Sequence, residues 1–315
     1  MATTKTTNPK TSFDPERVIA DRIIAAIEAG TAPWRMPWTG GAGCPFPRRV
    51  TGERYRGINV LSLWLEASDK GYASPTWMTY RQAAERGGQV RKGERSTLVV
   101  KFGLFDTHVK DNASATSDSQ GSTEGTEGRR AYLKAYNVFS ADQIDGLPAH
   151  FTRGRDEPAD LGTRPDEGLE VYFARLGATV ETTPEPRAFY HPARDLIHMP
   201  PIATFHTAQG YYETLGHEAV HWTGGPARLD RLTRCKDRAA YTFEELVAEI
   251  GQCQLFATLG LTPSIDQSAA YVDGWLKALH EDKRAIFRAA SEAQKAVDLI
   301  TERCGASAAV EEETA

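Results

Sequence analysis

The chain has 315 residues, 40% of them hydrophobic, so it can bury one large core or two ordinary cores, and we expect two domains. No apolar run approaches the length of a membrane span, and no hydrophobic segment follows the Thr- and Lys-rich N-terminus. We therefore expect a cytoplasmic protein with no membrane association. The four cysteines are scattered without a CxxC pair, which argues against a disulfide framework and a zinc knuckle.

The formal net charge of -5 hides an asymmetry between the two ends of the chain. Residues 1–103 carry 16 lysines and arginines against 9 acidic residues, a balance of +7, whereas the remainder carries 21 against 33, a balance of -12. The basic end is a candidate for binding a polyanion, and the acidic end is not.

The N-terminal elements begin after residues 1–13, which we expect to form a disordered leader. Asp14 can cap a helix whose first residue is Pro15, and apolar residues recur at helical spacing up to Gly30. Downstream, the pattern predicts a helix at 58–65, another helix opening at Trp77, and a strand at 96–102.

Aromatic side chains are interleaved with arginine and lysine throughout this basic end. This combination is typical of surfaces that bind single-stranded nucleic acid, because the bases stack on aromatic rings and the phosphates contact cations. The candidates are Arg56, Asn59, Trp64, Trp77, Arg91 and Lys92. Composition leaves the alternative open that the tryptophans pack in the core and the arginines form a solvated face.

Residues 107–130 are rich in Ser, Thr, Gly and acidic residues, which predicts a flexible insertion. The alternating pattern at 131–139 predicts a strand that pairs with the strand at 96–102 as a hairpin. The insertion would then lie inside a first domain at 14–150, with the domain boundary at 148–165, where Gly, Pro, Asp and Arg dominate.

The second half reads as a small sheet followed by helices. The pattern predicts a helix at 166–176, strands at 178–181, 188–190 and 195–199, and helices near 205–223, 242–260, 266–280 and 283–304. We expect the strand ending at Met199 to lie beside a cleft and to pair with an extended peptide. The result is an α+β second domain at 166–305 followed by an acidic tail at 306–315.

The motif HExxH occurs once, at His217-Glu218-Ala219-Val220-His221. On a helix, residues four apart share a face, so His217 and His221 can reach one metal ion, and Glu218 can act as a general base on a water molecule. The Gly224-Gly225 pair predicts the end of this helix. These features predict a hydrolytic metal site of the zincin type.

A catalytic zinc ion usually takes a third protein ligand. Glu245 and Glu249 lie four residues apart on a predicted helix, so one can be the ligand while the other holds a histidine N–H. The spacing resembles the E-x-x-A-D element of gluzincin metallopeptidases, which implies Glu245 as the ligand and Glu249 as the support. Because glutamate replaces the last aspartate, the reverse order stays open.

With both halves read, the sequence resembles the ArdC-type plasmid antirestriction proteins. The resemblance rests on residues 21–31, 33–35, 55–59, 63–64, 71–72 and 90–94 in the first half, and on 195, 199–200, 217–224, 228–229 and 244–251 in the second. It implies an N-terminal single-stranded DNA-binding domain joined to a zincin-like metallopeptidase domain. It also implies that the whole protein protects incoming DNA from restriction.

This resemblance implies a Zn²⁺ cofactor, although two histidines and one carboxylate also suit Mn²⁺. The implied partners are single-stranded DNA and a protein substrate or restriction-system component whose identity the sequence does not give. Two alternatives stay open. In one, the metal site of a DNA-binding protein is structural or grips a partner; in the other, a dedicated protease uses its basic domain to recruit an acidic protein.

Overall fold

The computed structural model describes residues 13–30, 46–107, 128–152, 162–261 and 269–305. The chain folds as a mixed α+β protein in these ranges, as predicted. Most of the leader, most of the predicted insertion, part of the predicted boundary and the acidic tail lie outside the described residues. None of the described helices is both long and apolar enough to cross a membrane.

The described part of the N-terminal half contains three α-helices and six strands. The helices are α1 (Pro15–Glu28), α2 (Ile58–Lys70) and α3 (Tyr80–Ala84), and the strands are β1 (Arg48–Arg49), β2 (Thr76–Met78), β3 (Gln89–Val90), β4 (Thr97–Thr107), β5 (Gly128–Ser140) and β6 (Ile144–Asp145). Asp14 caps α1 by accepting hydrogen bonds from the Glu16 and Arg17 N–H groups, as the sequence predicts. Four strands form one sheet in the order β1-β2-β5-β4, and β3 pairs with β6.

Strands β4 and β5 form the predicted antiparallel hairpin, but they are longer than predicted. Their register runs from the Thr97–Val138 pair to the Thr107–Gly128 pair. Both ends of the predicted insertion at 107–130 therefore belong to the sheet, because ladder pairing extends beyond the apolar alternation that marked the strands.

The sequence pattern predicted a helix that opens at Trp77, and this prediction is wrong. Trp77 lies in β2, which pairs with β1 on one side and β5 on the other, and its ring is only 2% exposed. The helix α3 begins at Tyr80 instead, where Thr79 and Gln82 form a reciprocal capping box.

Within the described residues, the C-terminal half contains a three-stranded sheet and five α-helices. The strands are β7 (Thr179–Thr182), β8 (Phe189–His191) and β9 (Leu196–Met199), and the helices are α4 (Glu167–Ala174), α5 (Ala208–Thr223), α6 (Arg238–Leu259), α7 (Ala269–Glu281) and α8 (Ala285–Cys304). The sheet order is β7-β9-β8. Met199 therefore ends the central strand, whose two edges are paired, so the prediction that this strand pairs with a peptide is wrong, and β7 and β8 are the edge strands of the described sheet.

Helices α5 and α6 pack closely because each carries a glycine at their contact. A Cβ atom on Gly216 would lie 3.2 Å from the Phe256 ring, and one on Gly251 would lie 3.0 Å from both methyl carbons of Val220. The missing side chains let the two helix backbones approach. This approach brings the acidic residues of α6 to the end of α5.

One hydrophobic cluster continues through both halves of the described chain. It contains buried residues of α1 and α2, such as Ile23 and Leu61, together with residues of α5, α6 and α8, such as Val220, Ile250 and Ala293. The helix α8 thus packs against the metal-site helices and also against the N-terminal half.

Candidate metal centre

His217 and His221 lie one turn apart in the last two turns of α5, which ends at Thr223 as the Gly224-Gly225 pair predicts. Their Nε2 atoms are 3.2 Å apart. Glu245 reaches them from the second turn of α6. Its Oε2 lies 3.5 Å from His217 Nε2, and its Oε1 lies 3.5 Å from His221 Nε2. One ligand atom from each of the three residues lies within 4.8 Å of the others.

This donor set fits a divalent cation. Two imidazole nitrogens and a carboxylate are the ligands of many catalytic zinc sites, and they suit manganese as well. The three side chains are buried or nearly so, so the surrounding protein holds them in place. Among the described residues, the fold brings together the three residues of the predicted ligand set, His217, His221 and Glu245.

Glu218 lies beside the two histidines with its carboxylate turned toward the edge strand. Its Oε2 accepts a hydrogen bond from the Tyr190 backbone N–H of β8 at 2.8 Å. The Tyr190 hydroxyl donates in turn to Asp195 at 2.7 Å and accepts from Arg228 at 2.9 Å. The edge strand and the predicted general base are therefore fixed relative to each other.

Glu244, which the sequence analysis did not single out, holds the second histidine. Its Oε1 lies 3.3 Å from His221 Nδ1, and Arg231 makes a bidentate contact to its two oxygens at 2.9 and 3.1 Å. Arg231 also donates to the Val220 carbonyl and the Thr223 hydroxyl. This buried chain of contacts orients the His221 ring, a role that metal-bound histidines generally require.

Glu249, the predicted support, lines the same pocket and is buried. The supporting contact at His221 Nδ1 nevertheless comes from Glu244, because that residue lies on the side of α6 that faces Arg231. The only sequence signal for Glu244 is its place in an acid pair with Glu245. Arg231 gives no signal, since it is thirteen residues away on an irregular segment.

Charge in the centre is strongly coupled. Burial disfavours a charged imidazole at His221, but hydrogen bonds to Glu244 and Glu245 outweigh burial and raise its pKa to about 10. Burial likewise opposes the charge on Glu245, yet hydrogen bonds from His217 and His221 hold its pKa far below the usual range. The carboxylates thus favour positive charge between the two histidines, whether a proton or a cation supplies it.

The centre opens into a pocket of about 900 Å³. Its walls are mostly apolar and include Phe189, Pro192, Phe205, Pro226 and Leu232. Tyr241, one turn before Glu245, is half exposed at its rim and helps to lower the Glu245 pKa through its hydroxyl. A pocket of this size with mostly apolar walls and a few converging polar groups is typical of a ligand-binding site.

The six predicted DNA-binding residues have different environments. Trp64 and Trp77 are 4% and 2% exposed, so the prediction that they stack on bases is wrong for this conformation, and the alternative of core packing holds. The Asn59 side chain exchanges two 2.8 Å hydrogen bonds with the Val100 backbone. Arg91 pairs with Glu94 and Asp145, Arg56 pairs with Asp298, and Lys92 is exposed.

Two family models match the two halves of the chain. Residues 14–139 match the N-terminal domain of anti-restriction factor ArdC, and residues 167–292 match a zincin-like metallopeptidase. The crystal structure of the antirestriction protein ArdC from plasmid R388, in metal-free form, superposes with a TM-score of 0.81 at 55% identity and covers 93% of this chain and 98% of that one. Its Mn(II)-bound structure gives a TM-score of 0.78.

Curated relatives include longer proteins. The chain is 38% identical over 306 residues to protein y4eC of Sinorhizobium fredii, covering 95% of this chain and 94% of that protein. It is 40% identical over 292 residues to the DNA primase TraC of Escherichia coli, covering 90% of this chain but only 26% of TraC. The chain therefore spans about a quarter of that relative's length.

Proposed function

The chain belongs to the ArdC family of antirestriction proteins, and from this premise we propose that it binds single-stranded DNA and carries a metal-dependent peptidase centre. Together the two activities protect the incoming DNA of a mobile element from host restriction. The peptidase half of this proposal rests on one observation above all: His217, His221 and Glu245 converge within 4.8 Å in a pocket that Glu218 also lines.

In the proposed centre, His217, His221 and Glu245 hold a divalent ion, which is Zn²⁺ or Mn²⁺. When bound, such an ion supplies Lewis acidity, which lowers the pKa of water and polarises a carbonyl group. Glu218 accepts a proton from the attacking water and passes it to the leaving amine. Glu244 and Arg231 hold His221 in the ring orientation that presents Nε2 to the ion.

The substrate of this centre is an extended polypeptide that lies along β8. The sheet order leaves β8 with one unpaired edge, and the Tyr190 N–H on that edge points at Glu218. Strand addition would place a scissile peptide bond beside the general base. The apolar walls of the pocket favour a substrate with apolar side chains near that bond.

A second candidate function is a DNA-binding protein whose metal centre is structural. One observation favours it: Glu218 already accepts a 2.8 Å hydrogen bond from a backbone N–H, which is a contact that also occurs when a carboxylate only stabilises a loop. In this case the metal would secure the contact between α5 and α6, and no peptide would be cut.

The variant Glu218→Ala separates these functions. We expect it to keep its metal, measured by elemental analysis of the purified protein, and to lose peptidase activity on unfolded protein substrates by about 10²–10⁴-fold. His217→Ala is the matched variant that loses the metal as well. Unchanged protection of transferred DNA by Glu218→Ala in a conjugation assay would overturn the peptidase role and favour the structural centre.

The DNA half of the proposal is tested by fluorescence anisotropy with an oligothymidine. Because cations neutralise phosphates, the logarithm of the binding constant should fall linearly with the logarithm of salt concentration. A binding constant that does not change with salt, or an absence of binding, would overturn this half. A chelator should leave DNA binding intact, since Arg91 and Lys92, which follow β3, do not line the pocket of the metal centre.

A further inference from the structure

Two adjoining cavities follow the contact between the N-terminal half and α8. The larger, of about 690 Å³, and the smaller, of about 450 Å³, share Arg56 and Gln294 in their walls. We call the two cavities together the seam groove. The residues on which its chemistry depends are Arg54, Arg56 and Phe102 from the N-terminal half, and Arg288 and Lys295 from α8 with its N-cap residue Arg284.

The walls of the seam groove are basic although the whole chain is acidic. The larger cavity carries Arg56, Arg284, Arg288 and Lys295 against the single acid Glu16. Together the two cavities expose five basic and three acidic side chains, in a protein with a net charge of -5. This local excess of positive charge is complementary to a polyanion.

The cations of the groove have carboxylate partners that are easily exchanged. Arg284 contacts Glu16, Arg288 contacts Asp282, and Lys295 contacts Glu292, and all these basic side chains are more than half exposed. Exposed ion pairs of this kind contribute little stability because water screens them. A phosphate group can therefore replace the carboxylates at small cost.

The groove also presents an exposed aromatic ring beside these cations. Phe102 on β4 is 55% exposed, and its ring meets the edge of Phe287 on α8 at a centroid distance of 6.3 Å. An apolar ring that remains open to solvent next to arginines is the arrangement on which bases stack in single-stranded nucleic acid. Duplex DNA does not offer its base faces to such a ring.

The positive end of α2 opens into the same groove. Gly57 occupies the cap position, has a φ of +56°, and provides no side-chain cap. Its N–H donates to the Gln294 side chain of α8, while Ile58 and Asn59 line the cavity. The helix dipole therefore adds to the attraction that Arg56 and Lys295 exert on a phosphate.

We propose that the seam groove is the binding site for single-stranded DNA, with the backbone phosphates on Arg56, Arg288 and Lys295 and a base on Phe102. The inference rests on the DNA-binding half of the proposed function. One wall of the site is α8, so the peptidase-side helix binds DNA directly and the strand spans both halves of the molecule. The buried Trp64 and Trp77 shape the protein behind this surface without contacting the strand.

The test is anisotropy with oligothymidine on the full chain. The double variant Arg288→Gln/Lys295→Gln removes two phosphate contacts, so its affinity should be about 25-fold lower at about 0.1 M salt, and its salt slope should be smaller in magnitude by about 1.4. Arg187→Gln/Arg194→Gln is the matched control, because it removes two exposed, ion-paired arginines that line neither cavity. The control should bind like the original protein.

A second variant tests the aromatic contact. Phe102→Ala should weaken binding about tenfold with an unchanged salt slope, and Phe102→Trp should restore it. Metal content and thermal midpoint, measured for every variant, identify any that fail to fold. Photo-crosslinking of a bromodeoxyuridine oligonucleotide should yield an adduct on the peptide that contains Phe102.

The outcomes distinguish this inference from the function on which it rests. If the original chain binds no oligonucleotide, the DNA-binding function itself fails. If it binds, and the α8 variants and Phe102→Ala bind equally well, the seam groove is overturned. Loss of binding in Arg91→Gln/Lys92→Gln would then place the site at the turn that follows β3. If the α8 variants and Phe102→Ala lost binding to an acidic polypeptide but kept their affinity for oligothymidine, the assignment of the seam groove to DNA would likewise be overturned.

Discussion

The metal centre and the seam groove both depend on arginine–carboxylate contacts, but they hold those contacts in opposite ways. In the metal centre, Arg231 and Glu244 are buried and satisfy each other through two hydrogen bonds. In the seam groove, Arg284 meets Glu16 through a single contact in which the arginine side chain is 73% exposed. The first pair fixes a geometry, whereas the second can release its arginine to another anion. The two proposed functions predict this difference, since a metal ligand requires one position and a groove that binds DNA of any sequence requires many.

The largest expected effect that sharpens this comparison comes from Arg231→Gln. It leaves the Glu244 carboxylate buried with too few partners, so the free energy of unfolding should fall by about 3–5 kcal/mol, measured by urea denaturation. The double variant Arg231→Met/Glu244→Leu should recover most of that stability but bind metal about 10–100-fold more weakly, because His221 Nδ1 loses its acceptor. Stability equal to that of the original protein in the single variant would contradict the buried network.

A smaller loss is expected from Asn59→Ala. The amide of Asn59 makes two hydrogen bonds to the Val100 backbone and thereby ties α2 to β4. Its removal should cost about 2 kcal/mol of stability, measured by thermal denaturation. Oligothymidine affinity of the folded variant should stay within about twofold of the original, since the amide is occupied by the backbone. A large loss of affinity at unchanged stability would return Asn59 to the DNA contacts.

Next in size is Gly251→Ala, which tests how α6 presents Glu245. The added methyl group would meet both methyl carbons of Val220. Overpacking opposes the better helix propensity of alanine, so we expect a net loss of about 1 kcal/mol and weaker metal binding. Metal titration of Gly251→Ala/Val220→Ala should show recovery, because the second change makes room. Unaltered metal affinity in the single variant would mean that α6 does not need this close approach.

The smallest change in the free energy of unfolding is expected for Arg284→Gln in the seam groove. Arg284→Gln removes one arginine from an exposed pair, as Arg231→Gln removes one from a buried pair. The free energy of unfolding should change by less than about 0.5 kcal/mol. Urea denaturation of the two variants side by side measures the contrast directly, and similar losses in both would refute it.

The sequence predicted the parts of this molecule that depend on local pattern. Helical spacing located α5 and α6, alternation located the β4–β5 hairpin, and the HExxH motif with the later acid pair identified the residues that converge. The assignment of Glu245 rather than Glu249 as the ligand stays a prediction, supported by its 3.5 Å distances to both histidines.

The features that the sequence did not reveal depend on long-range packing. Aromatic residues among arginines fit a nucleic-acid surface and a core equally well, so burial alone assigns Trp64 and Trp77 to the core. Likewise, Arg56 meets Asp298 across 242 positions of the chain, and no periodicity encodes that meeting. Arg231 and Glu244 pair for the same reason, because only the fold brings their two segments together.

The hydrophobic cluster that runs from α1 and α2 into α5, α6 and α8 has a thermodynamic consequence. Because these helices share one cluster, we expect them to unfold in one cooperative transition, so a ligand that binds only their folded state stabilises all of them. A divalent cation at about a thousand times its dissociation constant would add about 4 kcal/mol. By this linkage, metal bound between α5 and α6 would also stabilise the proposed DNA-binding surface on α8, and a bound strand would in turn raise the thermal stability of the metal centre.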